Sequence, residues 1–242
     1  MKQKVILSVF GLMAGVAATS ASVIGVDADT YVKGGTATDS VSGIQNNNTN
    51  YGTRNTMEVK ATDGKAKYIN KGYLRFDLAT MTAPAEVNAS INLTLLNSGV
   101  YINPLTVTVY GLLESVEGQD WGETSITFNN APGNDTAGSG VVAADTVLLG
   151  TFEVSDVASD YSFNSAALVN FLNADTDDLA TFILIGDTAG DSYGYGAMSF
   201  STKENSTYGG AVLDTIPEPG TMGLISAVGA SLLFIRRVFM IS

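Results

Sequence analysis

Val87-Asn88-Ala89-Ser90-Ile91-Asn92-Leu93-Thr94-Leu95 places Val87, Ala89, Ile91, Leu93 and Leu95 on one apolar face. A period of two is the signature of a strand that buries one side. Leu105-Thr106-Val107-Thr108-Val109-Tyr110 repeats it, with Leu105, Val107 and Val109 pointing one way. Outward from these, short runs bounded by Gly, Asn, Asp and Ser occur at Asp29–Lys33, Thr56–Ala61, Gly72–Leu78, Ser125–Phe128, Val147–Val154, Thr181–Gly186, Gly196–Thr202 and Ala211–Thr215. Only Ser165–Asn173 has helical spacing. About ten strands and one helix predict an all-β fold, a jelly-roll-like two-sheet β-sandwich. The Asn-rich loop Gln45–Asn50 is expected to add nothing to the core.

The two ends read differently. Lys2 and Lys4 precede the uncharged apolar run Val5–Ala18, and the small residues Thr19-Ser20-Ala21 follow. That order predicts a secretory signal peptide over residues 1–22, cut by signal peptidase after Ala21 or Ser22. At the other end Pro217-Glu218-Pro219 precedes the apolar run Gly220–Ile235, closed by Arg236-Arg237. As a helix this run rises about 24 Å, slightly short of a roughly 30 Å hydrocarbon core. The order of Pro-Glu-Pro, apolar helix and basic pair resembles the PEP-CTERM sorting tail of Gram-negative exopolysaccharide producers. The resemblance covers 217–242 and implies transient anchoring in the inner membrane. An exosortase-type protease then cuts near Pro217-Glu218-Pro219 and releases the protein to the cell surface or beyond. A permanent anchor is the competing reading. One β-domain, 23–216, remains between the ends.

Composition narrows the chemistry. The chain has no Cys and no His, which excludes a disulfide framework, a thiol nucleophile, a Ser-His-Asp triad and a His-ligated metal. With 12 Lys+Arg against 24 Asp+Glu the net charge is −12, which argues against nucleic acid as a partner. The cations are concentrated. Arg54, Lys60, Lys65, Lys67, Lys71 and Arg75 fall within 22 residues, whereas Phe76–Thr202 holds 16 acidic residues and no base. Outside this cluster and the two ends, only Lys33 and Lys203 are basic.

Strand phase suggests how the cations could meet. Gly72, Leu74, Phe76 and Leu78 share one face, with Lys71, Tyr73, Arg75 and Asp77 on the other. Met57, Val59 and Ala61 face inward, so Glu58 and Lys60 face out; Met198, Phe200 and Thr202 face inward, so Ser199, Ser201 and Lys203 face out. If these strands are neighbours, Lys60, Arg75 and Lys203 share an outer face with Tyr73. Cations beside an aromatic ring suit an acidic sugar. The competing reading is a solvated hairpin.

Five segments, in order, resemble the DNRLRE-type domain, also classed as carbohydrate-binding module family 96. They are Ala28-Asp29-Thr30-Tyr31-Val32, Asn50-Tyr51-Gly52 with Met57-Glu58-Val59-Lys60, Gly72-Tyr73-Leu74-Arg75-Phe76-Asp77-Leu78, Trp121–Pro132 and Met198-Ser199-Phe200-Ser201-Thr202-Lys203-Glu204. The resemblance implies a β-sandwich that binds acidic polysaccharide such as alginate through basic residues. Carried over, these are Lys60, Arg75 and Lys203, with Asn50 and Tyr73 as weaker additions. Two positions depart from the family pattern: Lys203 stands where Arg is usual, and Phe128 where Trp is usual.

Other chemistry fits less well. Asp175, Asp177 and Asp178, and Glu114, Glu117, Asp120 and Glu123, could in principle pair for glycoside hydrolysis, yet each group lies in a polar turn. A structural Ca²⁺ is the one candidate cofactor, since jelly-roll binding modules often carry one. Its candidate ligands are Asp187 and Asp191, or Asp27 and Asp29. Trp121, beside an Asn-Asn-Ala-Pro turn, is expected to pack rather than to stack on sugar. The leading expectation is an exported, non-catalytic binder of acidic polysaccharide. Its rivals are a structural matrix or adhesin-like surface protein, and a polysaccharide lyase or hydrolase.

Overall fold

The computed structural model describes residues 21–60, 69–81, 88–98, 105–155, 160–187 and 197–216. Among them are β1 (Ser22–Gly25), β2 (Ala28–Lys33), β3 (Thr56–Val59), β4 (Asn70–Asp77), β5 (Asn88–Ser98) and β6 (Leu105–Leu112). Then follow β7 (Thr146–Val154), β8 (Asp160–Asn164), α1 (Ala166–Asn173), β9 (Leu179–Asp187), β10 (Met198–Ser201) and β11 (Val212–Ile216). Sheet I runs β1-β11-β5-β10-β3, with β8 also on β5; sheet II runs β2-β4-β9-β6-β7. Every pairing is antiparallel. The first six strands alternate between the sheets, so the fold is a two-sheet β-sandwich wound across its own core. Residues 1–20, which hold nearly all of the expected signal peptide, and Pro217, Glu218, Pro219, Arg236 and Arg237 lie outside the described residues.

The alternation read from sequence sets the core. Ala89, Ile91, Leu93 and Leu95 of β5 are all buried, as are Met57 and Val59, Leu74 and Phe76, Met198 and Phe200. They meet Val107 and Val109 of β6 and Ala180, Phe182 and Leu184 of β9 between the sheets. Each large side chain buried there contributes about 1.5–3 kcal/mol. Gly72 lets β4 approach β3 closely, since a Cβ there would lie 2.8 Å from Met57 Sδ. Ser165 starts α1 by accepting from Leu168 N at 2.9 Å while its hydroxyl donates to Leu149 O at 2.7 Å. Leu168 and Leu172 of the helix then enter the core.

Two expectations need correction, and a third holds with one addition. Ser125–Phe128 is a set of turns: Ser125 N donates to Gly122 O and Ala131 N to Thr127 O, so its backbone is committed locally. β1 and β8 are strands that periodicity did not mark, being short or interrupted by polar residues. The Gln45–Asn50 loop adds nothing to the apolar core, yet Asn46 and Thr49 are buried, Asn46 accepting from the Tyr51 hydroxyl at 3.0 Å.

The largest difference is a third layer. The connection 113–145 between β6 and β7 folds back as a strap over the outer face of sheet II. There Trp121, Ile126, Phe128 and Ala131 pack on Ala28, Val32, Tyr73 and Ile183. Along β2, β4 and β9 sheet II is therefore covered on both faces, and Lys71 and Tyr73 on the outer side of β4 are not solvent-facing, whereas Thr151 and Glu153 of β7 stay exposed. Lys71 is fully buried under the strap. Its ammonium donates to Asn134 Oδ1 (2.6 Å), Asp135 O (3.0 Å) and Gly140 O (2.5 Å), and stands 5.1 Å from the Phe128 ring centre. Three donors meet three oxygens, so the amine pins the strap to the sheet.

Burial pulls the Lys71 amine down to about 8, with Asp135 pulling weakly the other way. Above about 8 the folded state holds fewer protons than the unfolded chain, so this group's contribution to stability rises with pH until about 10.5. Lys71→Met should lower unfolding stability by about 2–4 kcal/mol, because three acceptors lose their donor. In urea titrations the gap between wild type and Lys71→Met should widen from pH 8 to pH 10; a constant gap would contradict the buried-cation assignment.

Candidate functional site

The strap and β2 organise two polar clusters at opposite ends of the sandwich. The first gathers Asp27, Asp29, Arg75, Glu123, Lys203 and Glu204. Arg75 leaves the outer face of β4 at the register position of Ala28. Its Nε and Nη2 donate to Asp27 Oδ2 at 3.0 and 2.5 Å, and its Nη1 donates to Trp121 O at 2.5 Å. Its guanidinium lies 5.3 Å from the Trp121 ring centre. Lys203, just past β10, donates to Glu123 Oε2 at 2.9 Å and to Asp27 O at 2.5 Å. Glu123 Oε1 accepts from Asp29 N at 2.8 Å, and Asp29 Oδ2 accepts from Lys203 N at 2.9 Å.

Burial pushes the Asp29 carboxyl up to about 7, with the nearby Glu204 and Glu123 charges adding to it; the Lys203 backbone N–H and ammonium oppose the shift. For Lys203, burial pulls the amine down, but the hydrogen bond to Glu123 and the charges of Glu123, Glu204 and Asp29 outweigh it and hold the amine above its ordinary value. This end of the molecule is an ion-paired joint between strap, β2, β4 and the chain after β10.

The second cluster is open. A pocket of about 280 Å³ is lined by Lys33, Ala37, Asn46, Glu58, Lys60, Asn70 and Ala197. Lys33 ends β2 opposite Asn70, and Lys60 pairs with the same Asn70 through reciprocal backbone bonds of 2.8 Å. One residue therefore brings a lysine from each sheet to one mouth. Asn70 Nδ2 donates to Glu58 Oε2 at 2.8 Å and fixes that carboxylate on the wall. Two half-buried lysines, a carboxylate and two buried amides can meet a ligand bearing both carboxylate and hydroxyl groups.

The residues marked in the sequence do not form one patch. β3 and β10 are neighbours in sheet I, but β4 belongs to sheet II, so the shared outer face does not exist. The β2–β4 register separates Arg75 from Asn70, and hence from Lys60, by five residues, about 17 Å of strand. Tyr73 is fully buried, its hydroxyl donating to Pro132 O at 3.0 Å and its ring edge-on to Trp121, so it offers no face to a sugar. Asn50 is spent on the strap: its Nδ2 donates to Glu123 O and Ile126 O, both at 2.8 Å. A Cβ on Gly52 would collide with the same Glu123 carbonyl, which is why the Asn-Tyr-Gly turn closes there.

Trp121 is packed, 5% exposed, with Nε1 donating to Thr181 Oγ1 at 3.0 Å. Among the calcium candidates, Asp27 is bound by Arg75 and Asp29 lies in the first cluster; Asp187 ends β9 and Asp191 lies outside the described residues, as do Lys65 and Lys67. Sequence reading passed over Lys33, Glu58 and Asn70 as a group. The one signal was the spacing that ends β2 and opens β4 on a basic or amide residue.

The architecture is that of a β-sandwich binding module with a small polar pocket at one end. The chain matches the family model of Carbohydrate-binding module family 96 over residues 20–213 and belongs to that family. A search of curated proteins gave no match.

Replacing Arg75 by Ala should lower stability by about 2–3 kcal/mol, because Asp27 and the Trp121 carbonyl lose their donor in a half-desolvated site. Urea unfolding followed by Trp121 fluorescence measures this, and the native emission should shift as the ring loses its guanidinium cover. An unchanged midpoint would show the ion pair to be ornamental.

Proposed function

We propose that this chain is an exported, non-catalytic protein that binds acidic polysaccharide of the alginate kind. The observation that carries the reading is the pocket walled by Lys33 and Lys60 in a member of a carbohydrate-binding family. Lysine ammoniums are mobile point charges and accept a uronate carboxylate in several positions. Glu58 and the amides of Asn46 and Asn70 are placed to exchange hydrogen bonds with ring hydroxyls. Of the residues first singled out, Lys60 has the placement for direct contact. Arg75 and Lys203 act through the joint that holds the strap, and Asn50 and Tyr73 support the same strap. A pocket of this size grips one or two sugar units, so a single module binds weakly and gains strength from repetition along a polymer or surface.

The chain ends support a route. The signal peptide over 1–22 would direct export, and the tail from Pro217 would hold the protein in the inner membrane of a Gram-negative bacterium. Processing by an exosortase-type protease would then release it to the cell surface or extracellular matrix.

Affinity electrophoresis of residues 21–216 through gels holding alginate, pectin, a sulfated glycan or a neutral glucan tests the binding. Retardation by acidic glycans, reduced at high salt, is the expected result. Lys33→Ala with Lys60→Ala should weaken it by about tenfold while leaving the unfolding midpoint in place. No retardation by any glycan would favour a structural matrix or adhesin-like role, and depolymerisation of alginate would favour a lyase.

A further inference from the structure

Asp29, Glu123 and Glu204 reach one point from three separate places in the chain: β2, the strap and the turn after β10. One carboxylate oxygen from each lies within 4.8 Å of the other two. Such a cluster of acids is common on a protein surface, but this one has a buried member. Asp29 is only 1% exposed, and its Oδ1 is buried with no hydrogen-bond partner. A buried carboxylate oxygen with no donor is costly. The local charge is also unbalanced, since Asp27, Asp29, Glu123 and Glu204 face the two cations Arg75 and Lys203. Two further positive charges would neutralise the joint.

We propose that Asp29, Glu123 and Glu204 bind a hard divalent cation, Ca²⁺ by preference, that locks the strap to the start of β2 and the end of β10. Asp29 Oδ1 and the solvent-facing Glu204 carboxylate are the open ligands, Glu123 shares an oxygen that already accepts from Asp29 N or Lys203 Nζ, and water completes the shell. The irregular donor set suits Ca²⁺ better than Mg²⁺, which requires near-octahedral ligands. The site is separate from the lysine-walled pocket and does not depend on the glycan reading. The second acidic group, Glu114, Asp175 and Asp177, has no member buried to the same degree.

The test uses the full chain in mild detergent, stripped with chelator and returned to chelator-free buffer without glycan. Ca²⁺ alone is the probe in thermal unfolding. Tb³⁺ alone is the probe in luminescence, excited through Trp121, the single Trp of the chain and a near neighbour of Glu123. Saturating Ca²⁺ should raise the unfolding temperature by about 5 °C, and Mg²⁺ less. Tb³⁺ should emit and be displaced by Ca²⁺.

Glu204→Gln, which changes an exposed side chain, should weaken the Ca²⁺ response by about tenfold, read against that variant's own metal-free midpoint. Asp29→Asn should abolish it. Absence of both the thermal shift and the emission overturns the proposal. So does a response undiminished in Glu204→Gln and lost in Asp177→Asn, which would place the ion at Glu114, Asp175 and Asp177.

Discussion

A sheet covered on both faces must find a partner for every polar group it carries, because water reaches neither side. Under the strap, sheet II is such a sheet along β2, β4 and β9, and much of the molecule follows from that constraint. Its outer face presents Lys71, Tyr73, Arg75 and Thr181, none of which an apolar cover could satisfy alone. The strap therefore supplies acceptors and donors as well as hydrophobic area. Asn134, Asp135 and Gly140 take the Lys71 ammonium, Pro132 takes the Tyr73 hydroxyl, and the Trp121 indole donates to Thr181. Trp121 O and Asp27 take Arg75, and Glu123 answers both Asp29 N and Lys203. The same polar bonds that permit burial also fix the path of a connection with no strand or helix of its own.

This explains which part of the molecule could be read from the sequence. Alternation in Val87–Leu95 and Leu105–Tyr110 carried the strands, their inward faces and the sandwich, because hydrophobic burial has the period of the strand itself. The apolar spacing of Ala166, Leu168, Val169, Phe171 and Leu172 carried the helix. Phase along β4 was also legible: Leu74 and Phe76 do oppose Lys71, Tyr73 and Arg75. What phase cannot show is whether the opposite face meets water or another layer. That depended on residues 113–145, whose apolar members Trp121, Ile126 and Phe128 have no regular period because they sit on successive turns.

The site was less legible for a related reason. Cation clustering along the chain pointed to Arg54–Arg75, yet proximity in sequence is not proximity across two sheets. The pairing of β2 with β4 sends Asn70 and Arg75 to opposite ends of one strand. Lys33, far from the cluster in sequence, meets Lys60 only because both bracket Asn70. Register is set by long-range packing, and a single sequence does not state it.

The scarcity of cations sharpens the division of roles. The described residues include six, in a chain whose net charge is −12. Lys71 is consumed by the strap, Arg75 and Lys203 by the joint at the other end, and Arg54 by Asp39 at 3.5 Å under the Tyr51 ring. These four stabilise surfaces that could not otherwise be buried, and an acidic ligand would have to break an existing ion pair or hydrogen bond to reach them. Lys33 and Lys60 line a concave mouth instead, half-buried on its wall. A surface that is otherwise acidic repels polyanions everywhere else. On the proposed reading, a mouth with two cations on such a surface would be selective by position, with an attraction short in range and weakened by salt.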